Sequence, residues 1–155
     1  MNLQARGAKR EIVLSDEAAT AALGARIAAT LARGSVVALK GDLGAGKTTL
    51  ARAILRALGV DEVVPSPTFT LMQSYETPQL LVRHYDFYRI EREQEIEELG
   101  LEDALEEGSV LVEWPERGES RLPEDRLEVL LEAADGGRRA TLNGPAAWIE
   151  RIGAT

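Results

Sequence analysis

A chain of 155 residues and 16.8 kDa, 45% hydrophobic and 28% charged, has material for one substantial core and is expected to form one domain over 1–155. No apolar run approaches the roughly 18 residues of a membrane helix, and Met1–Gly7 lacks the apolar stretch of a secretory signal, so a cytoplasmic location is expected. A net charge of -8 opposes direct grip on a nucleic acid backbone, and the absence of cysteine with a single histidine, His84, excludes disulfides, thiolate chemistry and Cys- or His-rich metal sites.

In chain order, Glu11–Leu14 reads as a strand, followed by Ser15 as an N-cap and a helix carried to about Arg33 by Leu23, Ile27 and Leu31, with Gly34 as its left-handed stop. Val36–Leu39 is a short continuous apolar run, the signature of a parallel strand buried on both faces. A helix over Thr49–Leu58 ends at Gly59. Pro65 and Pro67 forbid a central strand and predict a stiff loop leading into an extended segment. Leu80–Asp86 and Ser109–Glu113 read as strands that each end in an acid. Between them Glu91–Glu107 is acidic and helical, broken at Gly100, with Ile96, Leu99, Leu101 and Leu105 on its buried side. Leu127–Glu132 and Arg138–Leu142 flank Asp135-Gly136-Gly137, a hairpin signal, and Pro145 opens a short last helix. The fold expected is α/β: a three-layer P-loop domain whose mixed sheet is parallel around the Val36–Leu39 strand and ends in a C-terminal antiparallel hairpin.

Chemistry concentrates where Val36–Leu39 hands over to Gly41-Asp42-Leu43-Gly44-Ala45-Gly46-Lys47-Thr48, a P-loop with its strand before it and its helix after it. Gly41, Gly44 and Gly46 let the backbone turn tightly and approach phosphate oxygens. Lys47 reaches the β- and γ-phosphates, the Thr48 hydroxyl is suited to ligate Mg2+, and the helix N-terminus with Thr49 adds its dipole. A second acid is needed at a neighbouring strand end, and the chain offers two. Glu113 follows the cleaner apolar run and is assigned to magnesium, leaving Asp86 to orient or deprotonate the attacking water. Thr68 and Thr70 lie on the proline loop, where ordinary loop hydroxyls are the simpler reading. His84 reads as a hydrogen-bonded sheet residue rather than a base. Tyr85, Phe87 and Tyr88 read as core, and Trp114 and Trp148 as filling core or packing sites.

These motifs together resemble the TsaE family, the small ATPase of bacterial tRNA threonylcarbamoyladenosine synthesis. The resemblance rests on Gly41 to Leu50, Ser66-Pro67-Thr68-Phe69-Thr70-Leu71, His84-Tyr85-Asp86-Phe87-Tyr88-Arg89 and Val112-Glu113-Trp114-Pro115, whose order spans most of the chain. It implies that Thr48 and Glu113 hold Mg2+, that Asp86 serves catalysis, and that Thr68 belongs to a switch-like loop. It further implies that Glu17, Gly137 and Arg138 lie near the nucleotide. It implies ATP as the ligand, and TsaD and TsaB as partners that carry out threonylcarbamoyl transfer and hold the tRNA while this subunit hydrolyses ATP and resets their complex.

Two other readings remain open beside it. No Asn-Lys-x-Asp segment follows the P-loop, so adenine is preferred to guanine. A small-molecule kinase needs a cation-bearing lid, and the lid-like stretch Glu91–Glu107 contains only Arg92. A nucleotide-dependent binding module with negligible hydrolysis fits the same motifs.

Overall fold

The computed structural model describes residues 7–68 and 70–153. Its strands are β1 (Gly7–Leu14), β2 (Val36–Lys40), β3 (Met72–Glu76), β4 (Leu81–Asp86), β5 (Gly108–Glu113), β6 (Leu127–Ala134) and β7 (Gly137–Pro145). Its helices are α1 (Glu17–Ala28), α2 (Lys47–Ala57), α3 (Gln94–Glu98), α4 (Leu101–Glu107) and α5 (Ala146–Ile152), with a kinked 3-10 segment at Pro115–Arg121.

The strands form one mixed sheet in the order β1-β7-β6-β2-β5-β4-β3. β2 runs parallel to β5 and to β6, and β4 parallel to β5. β6 and β7 form the expected antiparallel hairpin, closed by Asp135-Gly136 with Gly136 at φ 76°. β1 adds antiparallel to β7, and β3 lies antiparallel on β4 at the opposite edge.

Burial explains why the central strands carry no polar alternation. β2 and β5 have layers on both faces, so Val36, Val37, Ala38, Leu39, Val110, Leu111 and Val112 are all buried. Val37, Leu39 and Leu111 pack into one core with Leu23 and Ile27 of α1, Leu50 and Ile54 of α2 and Trp148 of α5. Val36, Val110 and Val112 face the other, with Tyr85, Phe87, Ile96 of α3 and Leu101 of α4.

Local departures from expectation have identifiable causes. The N-cap of α1 is Asp16 rather than Ser15, its carboxylate accepting the Ala19 N–H at 2.8 Å. α1 also ends at Ala28, well before Arg33. The Thr30 hydroxyl donates to the Ile27 carbonyl at 2.7 Å and the Thr30 and Leu31 N–H groups reach back only three residues, so the helix tightens into turns. Gly34, at φ 89°, serves the turn into β2 instead of capping the helix. Gly59 and Gly100 stop and break their helices as expected, at φ 103° and 77°. Of the four residues assigned to the buried side of the acidic stretch, Ile96 and Leu101 are buried whereas Leu99 and Leu105 are partly buried, and Ala104 completes the face.

The candidate nucleotide site

Strand β2 ends and helix α2 begins on either side of the glycine-rich turn, so the sheet and the helix N-terminus fix its position. Gly41 lies at φ 142° with the Leu131 carbonyl so close that a Cβ would stand 2.6 Å from it, and Gly46 enters α2 at φ 106°. Both positions require glycine. Beyond the turn is a cleft of about 220 Å³ lined by Gly44, Gly46, Lys47, Thr48 and Thr49. Leu43, Ser66, Thr68, Asp86, Glu113, Trp114 and Arg138 complete the lining.

Parallel pairing of β4 with β5 brings the two strand-end acids together, since Asp86 is the register partner of Glu113. The Thr48 hydroxyl lies 2.9 Å from each Glu113 carboxylate oxygen. His84, completely buried, places Nε2 2.7 Å from Glu113 Oε2. It is therefore a hydrogen-bonded sheet residue, as expected, but one whose partner is in the site.

Asp86 is 2% exposed, accepting the Tyr88 N–H at Oδ1 (2.8 Å) and the Thr68 hydroxyl at Oδ2 (3.1 Å). Burial, and then the neighbouring Glu113 charge, push its carboxyl above the usual range. Thr68 is presented by a turn in which the Leu71 N–H donates to the Pro67 carbonyl at 2.7 Å while the Leu71 carbonyl accepts the Asp86 N–H at 3.1 Å. Leu71 takes a left-handed φ of 68° to make both contacts. Phe69, inside this turn, lies outside the described residues.

Lys47 is 4% exposed and folded back over the loop, donating to the Gly41 and Asp42 carbonyls at 2.6 and 2.9 Å. Its ammonium stands 4.2 Å from the Trp114 ring centroid. Burial lowers the lysine pKa, against the opposing pull of Glu113 and Asp86. Trp114 itself holds φ 56° immediately before Pro115, and Tyr88 packs on it with ring centroids 4.8 Å apart. Tyr88, 40% exposed, is thus not a core residue, whereas Trp114 fills a packing site between Tyr88 and Lys47 and lines the cleft. Tyr85, Phe87 and Trp148 are buried as expected.

The other assigned residues divide by position. Arg138, from the start of β7, reaches the P-loop and directs Nη2 toward the Gly44 carbonyl at 3.5 Å. Asp42 and Ala45 belong to the outer side of the loop, beside Leu130 and Leu131. Glu17 is exposed in the first turn of α1, and Gly137 packs against the Leu14 carbonyl and Ser15, so neither lines the cleft. Ser66, whose hydroxyl is 2.8 Å from that of Thr68, lines the cleft without having been singled out. Only its place in the loop motif signalled it.

Hard oxygen donors on Thr48 and Glu113 suit a magnesium ion. Among the described residues no group of three or more His, Cys, Asp or Glu side chains forms a metal cage. A site of one hydroxyl and one carboxylate fits magnesium that takes its remaining ligands from phosphate and water.

Comparison with known proteins finds relatives over most of the chain. The family model described as "Threonylcarbamoyl adenosine biosynthesis protein TsaE" matches residues 14–141. Relatives bearing the name "tRNA threonylcarbamoyladenosine biosynthesis protein TsaE" include one from Rickettsia bellii, 40% identical over 130 residues, covering 83% of this chain and 90% of that protein. A Bacillus subtilis relative of the same name is 40% identical over 117 residues, covering 74% and 73% of the two chains. The crystal structure of Bacillus subtilis YdiB superposes with a TM-score of 0.74 at 31% identity, covering 95% of this chain and 91% of that one.

Proposed function

The chain belongs to the TsaE family, and on that premise we propose that it is a magnesium-dependent ATPase subunit required for threonylcarbamoyladenosine formation on tRNA. It binds ATP at the P-loop, works in the cytoplasm with TsaD and TsaB, and resets their complex between turnovers. The observation that carries this reading is the convergence of the Thr48 hydroxyl and Glu113 carboxylate beside Asp86 and the P-loop lysine. The net charge of -8 supports indirect contact with tRNA through the partners.

Thr48 and Glu113 would hold the magnesium ion, which when bound neutralises phosphate charge and polarises the bond to be broken. Lys47 exchanges the Gly41 and Asp42 carbonyls for phosphate oxygens, recovering in charge pairing what burial costs it. Asp86 Oδ2 accepts a proton from, or aligns, the attacking water, and the Thr68 hydroxyl holds that carboxylate in position. A raised pKa makes Asp86 a better proton acceptor than an ordinary surface carboxylate.

Hydrolysis of ATP with magnesium, by the chain alone and with TsaD and TsaB, tests the reading against Lys47→Ala and Asp86→Ala. Partner-stimulated release of phosphate, lost in Asp86→Ala while ATP still binds, is expected. Phosphate transfer to a small-molecule acceptor would replace this reading with a kinase. Nucleotide-controlled partner binding without turnover would leave a binding module.

A further inference from the structure

We propose that His84 is a positioning residue that fixes the Glu113 carboxylate for magnesium binding, an inference that rests on the role given to Glu113 above. Side chains alternate along a strand, so His84 and Asp86 share one face of β4, and Asp86 is the register partner of Glu113 on β5. His84 therefore stands one step inside the strand end. There its Nε2 meets Glu113 Oε2 at 2.7 Å, while the Thr48 hydroxyl approaches both carboxylate oxygens from α2.

The ring's two nitrogens are not equivalent. An ionised carboxylate only accepts hydrogen bonds, so Nε2 carries the proton and donates. Nδ1 is buried and has no hydrogen-bond partner among the described residues. His84 is thus committed to a single contact, directed at one oxygen of one acid. A glutamate has several rotatable bonds, and a flexible metal ligand must be ordered when the ion binds. The imidazole orders Glu113 beforehand and engages Oε2, while among the described residues Oε1 has only the exchangeable hydroxyl of Thr48 as a hydrogen-bond partner. A histidine serving only the packing of the sheet would have no reason to aim its protonated nitrogen at this carboxylate, and its loss would lower stability without altering the need for magnesium.

His84 is the only histidine in the sequence, so the untagged chain labelled with 15N-histidine reports this ring alone. The expected spectrum has a protonated Nε2. The Nε2 signal should move when magnesium is added with a non-hydrolysable ATP analogue but not with the analogue alone, and Glu113→Gln should abolish that response. In parallel, His84→Leu is expected to raise the magnesium concentration for half-maximal ATP turnover about 10-fold or more, the usual penalty for removing a group that orients a metal ligand. Its affinity for the analogue without magnesium should stay within about 2-fold, and His84→Gln, whose amide N–H substitutes for Nε2–H, should restore most of the magnesium response. An unprotonated Nε2, a ring indifferent to magnesium, or an unshifted midpoint in His84→Leu would overturn the proposal. If His84→Leu does not fold, the ring spectra of the wild type and Glu113→Gln decide. A wild type whose nucleotide binding ignores magnesium altogether would instead remove the ATPase reading, and this proposal with it.

Discussion

Asp86 and Glu113 are register partners at the ends of adjacent parallel strands, so two buried acids stand side by side. Burial and then Glu113 raise the Asp86 pKa in the folded chain. At low pH, folded and unfolded chains both hold the proton and nothing is lost. As pH rises through the ordinary carboxylate value and on to the raised one, the unfolded chain ionises first and stability falls; above that window the full penalty persists. Asp86→Asn is therefore expected to raise the melting temperature near neutral pH by about 2 °C while abolishing turnover. Melting curves of both proteins across pH should converge at the acid end. A variant less stable than wild type at neutral pH would contradict this account.

Among the described residues Thr68, which lines the cleft, hydrogen-bonds Asp86 and Ser66. Thr68→Ala should lower kcat by about 10- to 100-fold with nucleotide affinity within about 3-fold, and Thr68→Ser should recover most of the rate, because its hydroxyl supplies the same hydrogen bond. Steady-state kinetics beside equilibrium binding of a fluorescent analogue separates the two effects.

Arg138 is only partly buried, yet its guanidinium lies where a Cβ on Gly46 would come within 3.1 Å of it. Its removal should cost binding rather than folding. Arg138→Ala is expected to weaken ATP about 10-fold with the melting temperature within about 1 °C, since a solvated side chain at the mouth contributes little to the core. Calorimetric titration checks the affinity, and a large loss of stability would show that the arginine holds the P-loop in shape.

Gly24 sits inside α1, where glycine ordinarily costs about 1 kcal/mol relative to alanine. Here α1 and α2 approach so closely that a Cβ would lie 2.5 Å from the Ala53 Cβ and 2.9 Å from its carbonyl carbon. Gly24→Ala should therefore destabilise by about 1–3 kcal/mol despite its better helix propensity. Denaturant unfolding provides the measurement, and a stabilised variant would mean that the two helices can separate freely.

Features encoded over short spans were legible in the sequence. The P-loop, the acids ending β4 and β5 and the Asp135-Gly136 turn each depend on neighbours a few residues away. The antiparallel addition of β3 was not, because Met72–Glu76 has no distinctive pattern and its place on β4 is set by the tertiary fold. The common burial of indole rings pointed Trp114 to a core or packing site without saying which; with a left-handed backbone before Pro115, its ring packs against the Lys47 ammonium. His84 was assigned its hydrogen bond but not its partner, since Glu113 becomes its neighbour only through strand pairing. The end of α1 was placed too late because Leu31 keeps the four-residue rhythm after the Thr30 hydroxyl has begun to unwind the turn.

Pairing of β1 with β7 joins Gly7 to Pro145 and Leu14 to Arg138. On a ribosome, β1 must wait until the chain has been made through β7 before its hydrogen-bonding partner exists. β2, α2, β4 and β5 are all complete by Glu113, so the helix that carries Lys47 and the strands that carry Asp86 and Glu113 can assemble while β1 still has an open ladder. Newly made chains would thus acquire the parallel centre before closing this outer seam, leaving β1 exposed to other partners during that interval.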